Sequence, residues 1–303
     1  MLAKSPRPKP SAGPKTFTTA ANGVSVGSPA RNTFYLCPGK KVVVNGTDFL
    51  FPTVITKANS SWVTKNSIIV SKIPTVEGSV TMKHEFKVTL TKNGRRLKGN
   101  GIPNHPIGVF PIKKGTTAYK IYSQLPAQGY ANAAEIPVAP YDLDVTVPRN
   151  PKPNAKPSCM GDELMLGVAT QTGAAWHIEY AIDNYNHAVD PNAALPTDLC
   201  WGHPYETQYH YHGYSWKCFP NQGKPGEHSP LFGYAMDGFG IYGPRSLNGK
   251  LVRNVDLDEC HGHIHEIVWD GVMKKMYHYH VNNEYPYSVG CFRGTPAKMK
   301  MES

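Results

Sequence analysis

Histidine, cysteine and aspartate recur in one fixed order, twice, in the C-terminal half of the chain. Asp198-Leu-Cys200-Trp-Gly202-His203 is followed by Tyr209-His210-Tyr211-His212 and then Cys218-Phe219. Asp258-Glu-Cys260-His-Gly262-His263 is followed by Tyr277-His278-Tyr279-His280 and then Cys291-Phe292. The formula D-x-C-x-G-H … Y-H-Y-H … C-F thus occurs twice, with 5 and 13 residues before the tetrapeptide and 5 and 10 after it. Eleven of the thirteen histidines lie after position 176, so this half carries the chemistry. In a strand, successive side chains point to opposite faces, so Tyr-His-Tyr-His puts both histidines on one face and both tyrosines on the other. Imidazoles at i and i+2 stand roughly 6–7 Å apart, close enough to grip one metal ion or to share one polar cavity.

Each unit adds a third histidine in a Gly-His turn. The candidate metal ligands are therefore His203, His210, His212, His263, His278 and His280. Neutral imidazole is the commonest ligand for Zn and Cu, and a three-histidine set with an open position is a catalytic arrangement. Such a site would favour hydrolysis with Zn, or oxidation with Cu beside tyrosines. The competing readings are a metal-free His/Tyr/Asp network that fixes a loop-rich fold, and a histidine acid–base site. The duplication predicts that the two YHYH strands are near neighbours related by a pseudo-two-fold, with their histidine faces converging on one cavity.

A second tier of residues would support such a site. Asp237 either accepts a ligand histidine's N–H or holds an Asp-Gly turn. His105, His187 and His228 either complete the histidine set or cap turns, and Asp198 and Asp258 hold their turns or receive an imidazole N–H. His261 and His265 have no counterpart in the first unit and rank below their neighbours. Asp183-Asn-Tyr-Asn with Asp190 lacks EF-hand spacing. No P-loop or H-E-x-x-H occurs.

With these motifs in order, the sequence resembles the YHYH-domain proteins, a largely uncharacterised group of extracellular-type domains. The resemblance runs from Asn100-Gly-Ile-Pro-Asn-His105 and Gly108-Val-Phe-Pro111, through Gly167-Val-Ala, Trp176, Glu179-Tyr180 and Asn186-His187-Ala188-Val189, to the first tetrapeptide. It continues through His228-Ser-Pro-Leu-Phe-Gly-Tyr-Ala-Met-Asp237-Gly-Phe-Gly-Ile-Tyr-Gly243 and closes on Glu284-Tyr-Pro-Tyr-Ser-Val-Gly-Cys291-Phe-Arg-Gly294, covering roughly 95–296. The stretch between His187 and Tyr209 departs from the pattern and carries the Cys200 turn. The resemblance implies a fold and a location class, and no established activity.

Elements that could position these residues are short. Gly and Pro total 55 of 303 residues, which favours turns and short strands over long helices. Residues 1–30 are polar, rich in Pro, Gly and Ser, and basic, as expected of a flexible arm. Residues 31–95 form an N-terminal β extension with strands at Lys41–Val44, Trp62–Thr64, Ser67–Val70 and His84–Leu90. Lys92-Asn-Gly-Arg95 is expected to turn with Asn-Gly at positive φ. Residues 96–296 form the YHYH domain and 297–303 a tail, with a single short helix near Ala174–Tyr180.

The expected class is mainly β: a disulfide-stapled, loop-rich domain with a duplicated unit. Six cysteines allow fifteen connectivities. The repeat points to Cys200–Cys218 and Cys260–Cys291, leaving Cys37 for Cys159. Dependence on disulfides excludes the ordinary cytosol and favours an extracellular or virion setting. Sequons at Asn45-Gly-Thr47 and Asn59-Ser-Ser61 fit a surface location. The first ten residues lack an apolar core and do not read as a signal peptide, and no run of 18 apolar residues spans a membrane. The net charge of +10 is spread without a recognition motif, which argues against sequence-specific nucleic-acid binding. Part of the excess, Lys4, Arg7, Lys9 and Lys15, sits in the N-terminal arm, which suits docking on an acidic protein or glycan surface, or threading between assembly neighbours. Three functions follow as expectations: a Zn- or Cu-binding extracellular-type or virion-associated domain, a metal-free structural or adhesive protein of a capsid or matrix, and a metal-dependent hydrolase or oxidase.

Overall fold

The computed structural model describes residues 23–26, 29, 31–37, 43–44, 63–65, 68–70, 76–124, 133–160, 165–179, 181–182, 187–189, 191, 195 and 197–298. Most of the expected basic arm, both sequons and the Asp183–Asn186 stretch lie outside these residues. β1 (Gly23–Val26) pairs in parallel with β2 (Thr33–Leu36), and β3 (Val43–Val44) joins a later strand. β4 (Val63–Lys65) and β5 (Ile68–Val70) form an antiparallel pair. β6 (Phe86–Leu90), β7 (Gly94–Gly99) and β8 (Leu143–Pro148) make a three-stranded antiparallel sheet. β7 runs across the division expected between residues 95 and 96.

The remaining strands are β9 (Met165–Val168), β10 (Ala175–His177), β11 (Ala181–Ile182), β12 (His187–Val189), β13 (Gly202–Tyr205), β14 (Gln208–Tyr211), β15 (Leu231–Ala235), β16 (Gly240–Tyr242), β17 (Gly262–Trp269) and β18 (Val272–His280). Eight of them form one sheet in the order β13-β14-β10-β9-β15-β16-β18-β17, and the three short strands β11, β12 and β3 form another. The order of the large sheet reads equivalently from both edges. At each end a hairpin places the YHYH strand second from the edge, where it pairs in parallel with the return strand of an inner hairpin. β9 and β15 meet antiparallel at the centre. These directions are those of a two-fold axis between β9 and β15.

Three local expectations are corrected by the backbone. The segment Ala175–His177 is a central strand, not a helix. All three residues are buried, and a short buried apolar run without alternation looks the same in either state. The helix is α1 (Thr117–Gln124), whose first turn is capped where the Thr116 hydroxyl accepts the Tyr119 N–H at 3.3 Å. The turn after β6 is present, with the Thr91 N–H donating to the Gly94 carbonyl at 2.9 Å, but neither Asn93 nor Gly94 has positive φ. Glycine is needed there because a Cβ at position 94 would lie 2.7 Å from Thr146 Cγ2.

The three-stranded sheet is anchored on the large one by Arg95. Its fully buried guanidinium lies 4.8 Å from the Tyr234 ring centroid and 4.6 Å from that of Trp269, and pairs with Asp270 at 2.6 Å. Asp270 and Gly271, both at positive φ, form the two-residue turn joining β17 to β18. Cys37–Cys159, Cys200–Cys218 and Cys260–Cys291 are the three disulfides, the pairs expected from the sequence.

Candidate metal centres

Most letters of the repeated formula are accounted for by a turn built the same way twice. The Asp198 N–H donates to the Gly202 carbonyl at 2.9 Å and the Trp201 N–H to the Asp198 carbonyl at 3.0 Å. The corresponding bonds from Asp258 and His261 are 2.8 and 3.1 Å. The carboxylates of both aspartates accept the N–H groups of the following cysteine and glycine. Trp201 and His261, between cysteine and glycine, take φ of 64° and 74°. The first tyrosine of each tetrapeptide lies over the glycine and donates to the aspartate, Tyr209 to Asp198 at 3.0 Å and Tyr277 to Asp258 at 2.9 Å. A Cβ on Gly202 or Gly262 would meet that tyrosine's hydroxyl oxygen at 2.1 or 2.3 Å. Aspartate, cysteine, glycine and tyrosine are thus scaffold. Burial pushes the Asp198 carboxyl up to about 6, against the pull of the N–H donors and Tyr209 around it.

The second tyrosine of each tetrapeptide ties the same face to the inner hairpin. The Tyr211 hydroxyl donates to Thr172 Oγ1 at 3.0 Å and that of Tyr279 to Asp237 Oδ2 at 2.6 Å. Each acceptor precedes a glycine at positive φ, Gly173 or Gly238. Asp237 therefore serves the tyrosine face and its own turn, where it also accepts the N–H groups of Phe239 and Gly294.

Histidines occupy the opposite face. On β14 and just beyond it, His210 and His212 meet His203, whose backbone stands opposite His210 in the hairpin. His212 Nε2 lies 3.1 Å from His210 Nε2 and 3.0 Å from His203 Nε2, and all three rings are buried. A neutral imidazole nitrogen carries either one proton or one lone pair, so one nitrogen cannot donate to one neighbour while accepting from the other. Tetrahedral ligands at a Zn–N distance of 2.0–2.1 Å are about 3.3–3.4 Å apart, close to the spacing seen. His210 Nδ1 faces the Gln208 carbonyl at 3.1 Å, and His212 Nδ1 lies 3.4 Å from the buried Glu179 carboxyl. His177 stacks on His210 with ring centroids 3.8 Å apart.

The second cluster is larger. His228, His265, His278 and His280 each offer a nitrogen within 4.8 Å of the others, and the His263 ring lies 4.0 Å from His265 and 4.8 Å from His278 and His280. Three rings point Nδ1 at a backbone carbonyl: His228 at Ser229 (2.7 Å), His278 at Met276 (3.1 Å) and His280 at Gly243 (2.6 Å). A carbonyl can only accept, so those nitrogens carry the proton and the lone pair sits on Nε2. The Nε2 atoms of His228, His263, His278 and His280 are buried with no hydrogen-bond partner among the described residues. His261, two residues from His263, shows what a structural histidine looks like here. Its Nδ1 faces the carbonyls of His280 and Ser288 and its Nε2 the side chain of Asn254.

Burial, reinforced by neighbouring rings, holds these histidines below their ordinary range. His203, His210 and His280 lie well below it, His278 falls to about 2, and His228 and His263 to about 4. All are neutral at pH 7, the form that ligates metal. Either cluster could hold a metal ion.

The single-cavity expectation is corrected. The ladder from His210 through Ala175, Val168, Tyr234 and Gly240, and on through Tyr242 to His280, keeps both clusters on one face of the sheet. Four strands separate β14 from β18, so the YHYH strands are about 24 Å apart at about 4.8 Å per step. His105 lies on the tyrosine face, with Nε2 2.6 Å from the Tyr211 hydroxyl and Nδ1 3.3 Å from Cys200 Sγ, so it joins neither cluster. The grouping of His105 with Cys200 and Cys218 offers a disulfide in place of thiolates and is a poor ligand set. His187 lies in β12, in the small sheet, and its side chain is outside the described structure.

Sequence reasoning ranked His265 low and missed His177 and Glu179. His263-Ile-His265 has the same i, i+2 spacing as the tetrapeptide, which was the available signal. His177 shares the face of Ala175, the register partner of His210, a relation visible only once β10 and β14 are paired.

Residues 144–251 match the family model described as YHYH protein. The YHYH match contains the first tetrapeptide and the central hairpins and ends before the second tetrapeptide at Tyr277–His280. No curated protein and no solved structure matches the chain. The YHYH match and the three disulfides fit an extracellular-type domain. Among the described residues no helix is long and apolar enough to cross a membrane.

Proposed function

We propose that this protein binds a transition-metal ion, Zn or Cu, in each of its two histidine clusters, outside the reducing cytosol. The carrying observation is the second cluster, where four buried Nε2 atoms have no partner among the described residues. A buried polar atom left unbonded costs on the order of 1–3 kcal/mol, so four lone pairs together call for a cation or a donor such as water to face them. The contrast with His261, satisfied on both ring nitrogens, supports a ligand role for the unpartnered rings. His203, His210 and His212 would hold the first ion, and His228, His278 and His280, with His265 or His263, the second. A bound Zn or Cu ion supplies Lewis acidity and Cu adds redox chemistry. The backbone carbonyls fix the rings that would present these lone pairs.

The test is elemental analysis after exposure to excess Zn or Cu and removal of unbound ions. Two ions per chain are expected, falling to one in His278→Ala/His280→Ala and to one in His210→Ala/His212→Ala. A wild-type protein that folds, keeps its disulfides and retains no ion would overturn the reading in favour of a metal-free network.

A further inference from the structure

The two clusters differ in exposure and in the groups beside them. The first is closed: His203, His210 and His212 are 5%, 2% and 4% exposed, and His177 lies against His210. It has a carboxyl beside it, Glu179, 3.4 Å from His212 Nδ1. The second is buried only on its inner side, at His278 and His280, while His228, His263 and His265 are partly exposed. No carboxylate oxygen contacts any of its rings among the described residues. Asp256, the acid whose charge reaches His263, is committed to Lys250 at 2.7 Å and to the Arg253 N–H at 3.0 Å.

His265 sits at the mouth. Its Nε2 is 2.9 Å from Ser246 Oγ, and its Nδ1 contact with the Glu266 carbonyl is long, at 3.3 Å. His228, His278 and His280, in contrast, point Nδ1 at carbonyls 2.6–3.1 Å away and leave Nε2 to the cluster. His265 is thus held by a hydroxyl on an exposed edge strand, β17, which ends the sheet. Its ring is the one that can leave the cluster without stranding a buried polar atom.

We propose that the second cluster, and not the first, is an open metal site that takes a small anionic ligand from solution at the position covered by His265 and Ser246. A divalent ion among neutral imidazoles keeps its full charge, so an anion completes the site electrically as well as sterically. In the first cluster the buried rings leave no entry, and the Glu179 carboxyl already lies 3.4 Å from His212 Nδ1. This inference rests on the metal-binding reading and adds to it which ion is reachable, and by what.

Cobalt(II) and azide provide the test on the full chain. Wild-type protein loaded with two cobalt ions should bind one azide, with the visible absorption of half the cobalt shifting. The response should persist in His210→Ala/His212→Ala, vanish in His278→Ala/His280→Ala, and occur at lower azide concentration in His265→Ala. Azide that shifts both ions, neither ion, or the one surviving in His278→Ala/His280→Ala overturns the proposal while leaving metal binding intact. Failure of the wild-type protein to take up cobalt, zinc or copper overturns both. In the wild-type protein alone, a response from both ions or from neither overturns the proposal even where a double variant does not fold.

Discussion

The two halves of the large sheet share a chassis and differ in what they carry. Asp198 and Asp258, Gly202 and Gly262, Tyr209 and Tyr277, and the two local disulfides make the same bonds in the same order. Opposite them, the first unit has three buried histidines with His177 and Glu179, whereas the second has five histidines and, among the described residues, no carboxylate in contact. His177 in β10 holds the place that Tyr242 holds in β16, and both pack on the first histidine of their tetrapeptide. The difference shows that the tyrosine face secures the fold and the histidine face is where the two units diverge.

The sharpest way to break the equivalence is at the glycines. Gly202→Ala and Gly262→Ala each drive a Cβ into a tyrosine that is itself bonded to the turn aspartate. Each should cost about 3 kcal/mol or more, read as a fall in the urea midpoint, with the loss larger at the fully buried Asp198–Tyr209 pair. Tolerance at either position would mean that the shared turn is not what fixes the hairpins.

Disulfide removal comes next. The two bridges span 18 and 31 residues, for which chain entropy gives about 3.2 and about 3.7 kcal/mol. Cys260→Ala/Cys291→Ala should therefore destabilise by about 0.5 kcal/mol more than Cys200→Ala/Cys218→Ala, and thermal unfolding of the two variants checks this.

Smaller effects follow from the tyrosine hydroxyls. Tyr209→Phe removes a donor from a buried carboxyl that keeps three backbone N–H bonds, and should cost about 1–2 kcal/mol. Tyr277→Phe, beside the more exposed Asp258, should cost less. Neither change should alter the number of ions retained, since those rings face away from the clusters. Loss of an ion in either variant would show that the two faces are coupled.

Acid probes the buried histidines as a group. In the unfolded chain histidine titrates near 6.5, whereas ten histidines here are lowered, His228 and His263 to about 4. Between about pH 6.5 and 4 the unfolded chain binds more protons, so metal-free stability falls as pH falls through that window. The raised carboxyls of Glu179, Asp198, Asp237 and Asp258 act in the opposite sense but are outnumbered. A urea midpoint that rises on acidification from pH 6.5 would contradict this. Metal content should hold below pH 6.5, because the folded rings resist protonation, and on further acidification the second cluster should release its ion before the first.

Legibility in the sequence followed how locally each feature is built. The turn, the disulfides and the two faces of the tetrapeptide are set by neighbours within one hairpin, and the repeated formula exposes them. The separation of the clusters is set by β9, β10, β15 and β16, which carry no His-x-His and pair over long range. Segment 175–177 misled because a strand covered on both faces loses its alternation. α1 was missed although Thr116 sits where an N-cap belongs and Ala118, Ile121 and Tyr122 have i, i+3, i+4 spacing, because at eight residues the stripe is too short to announce a helix.

The clasp of tyrosine over glycine has an engineering consequence. Residues of odd number on β14 carry the fastening and those of even number carry the cargo, and in β18 the same split recurs. Ligand sets can therefore be transplanted as cassettes. Exchanging Tyr205 for histidine would copy into the first hairpin the position that His265 holds in the second, three residues after the turn glycine, without touching any clasp contact. A fold fastened on one side of a ribbon leaves the other side free to be rewritten.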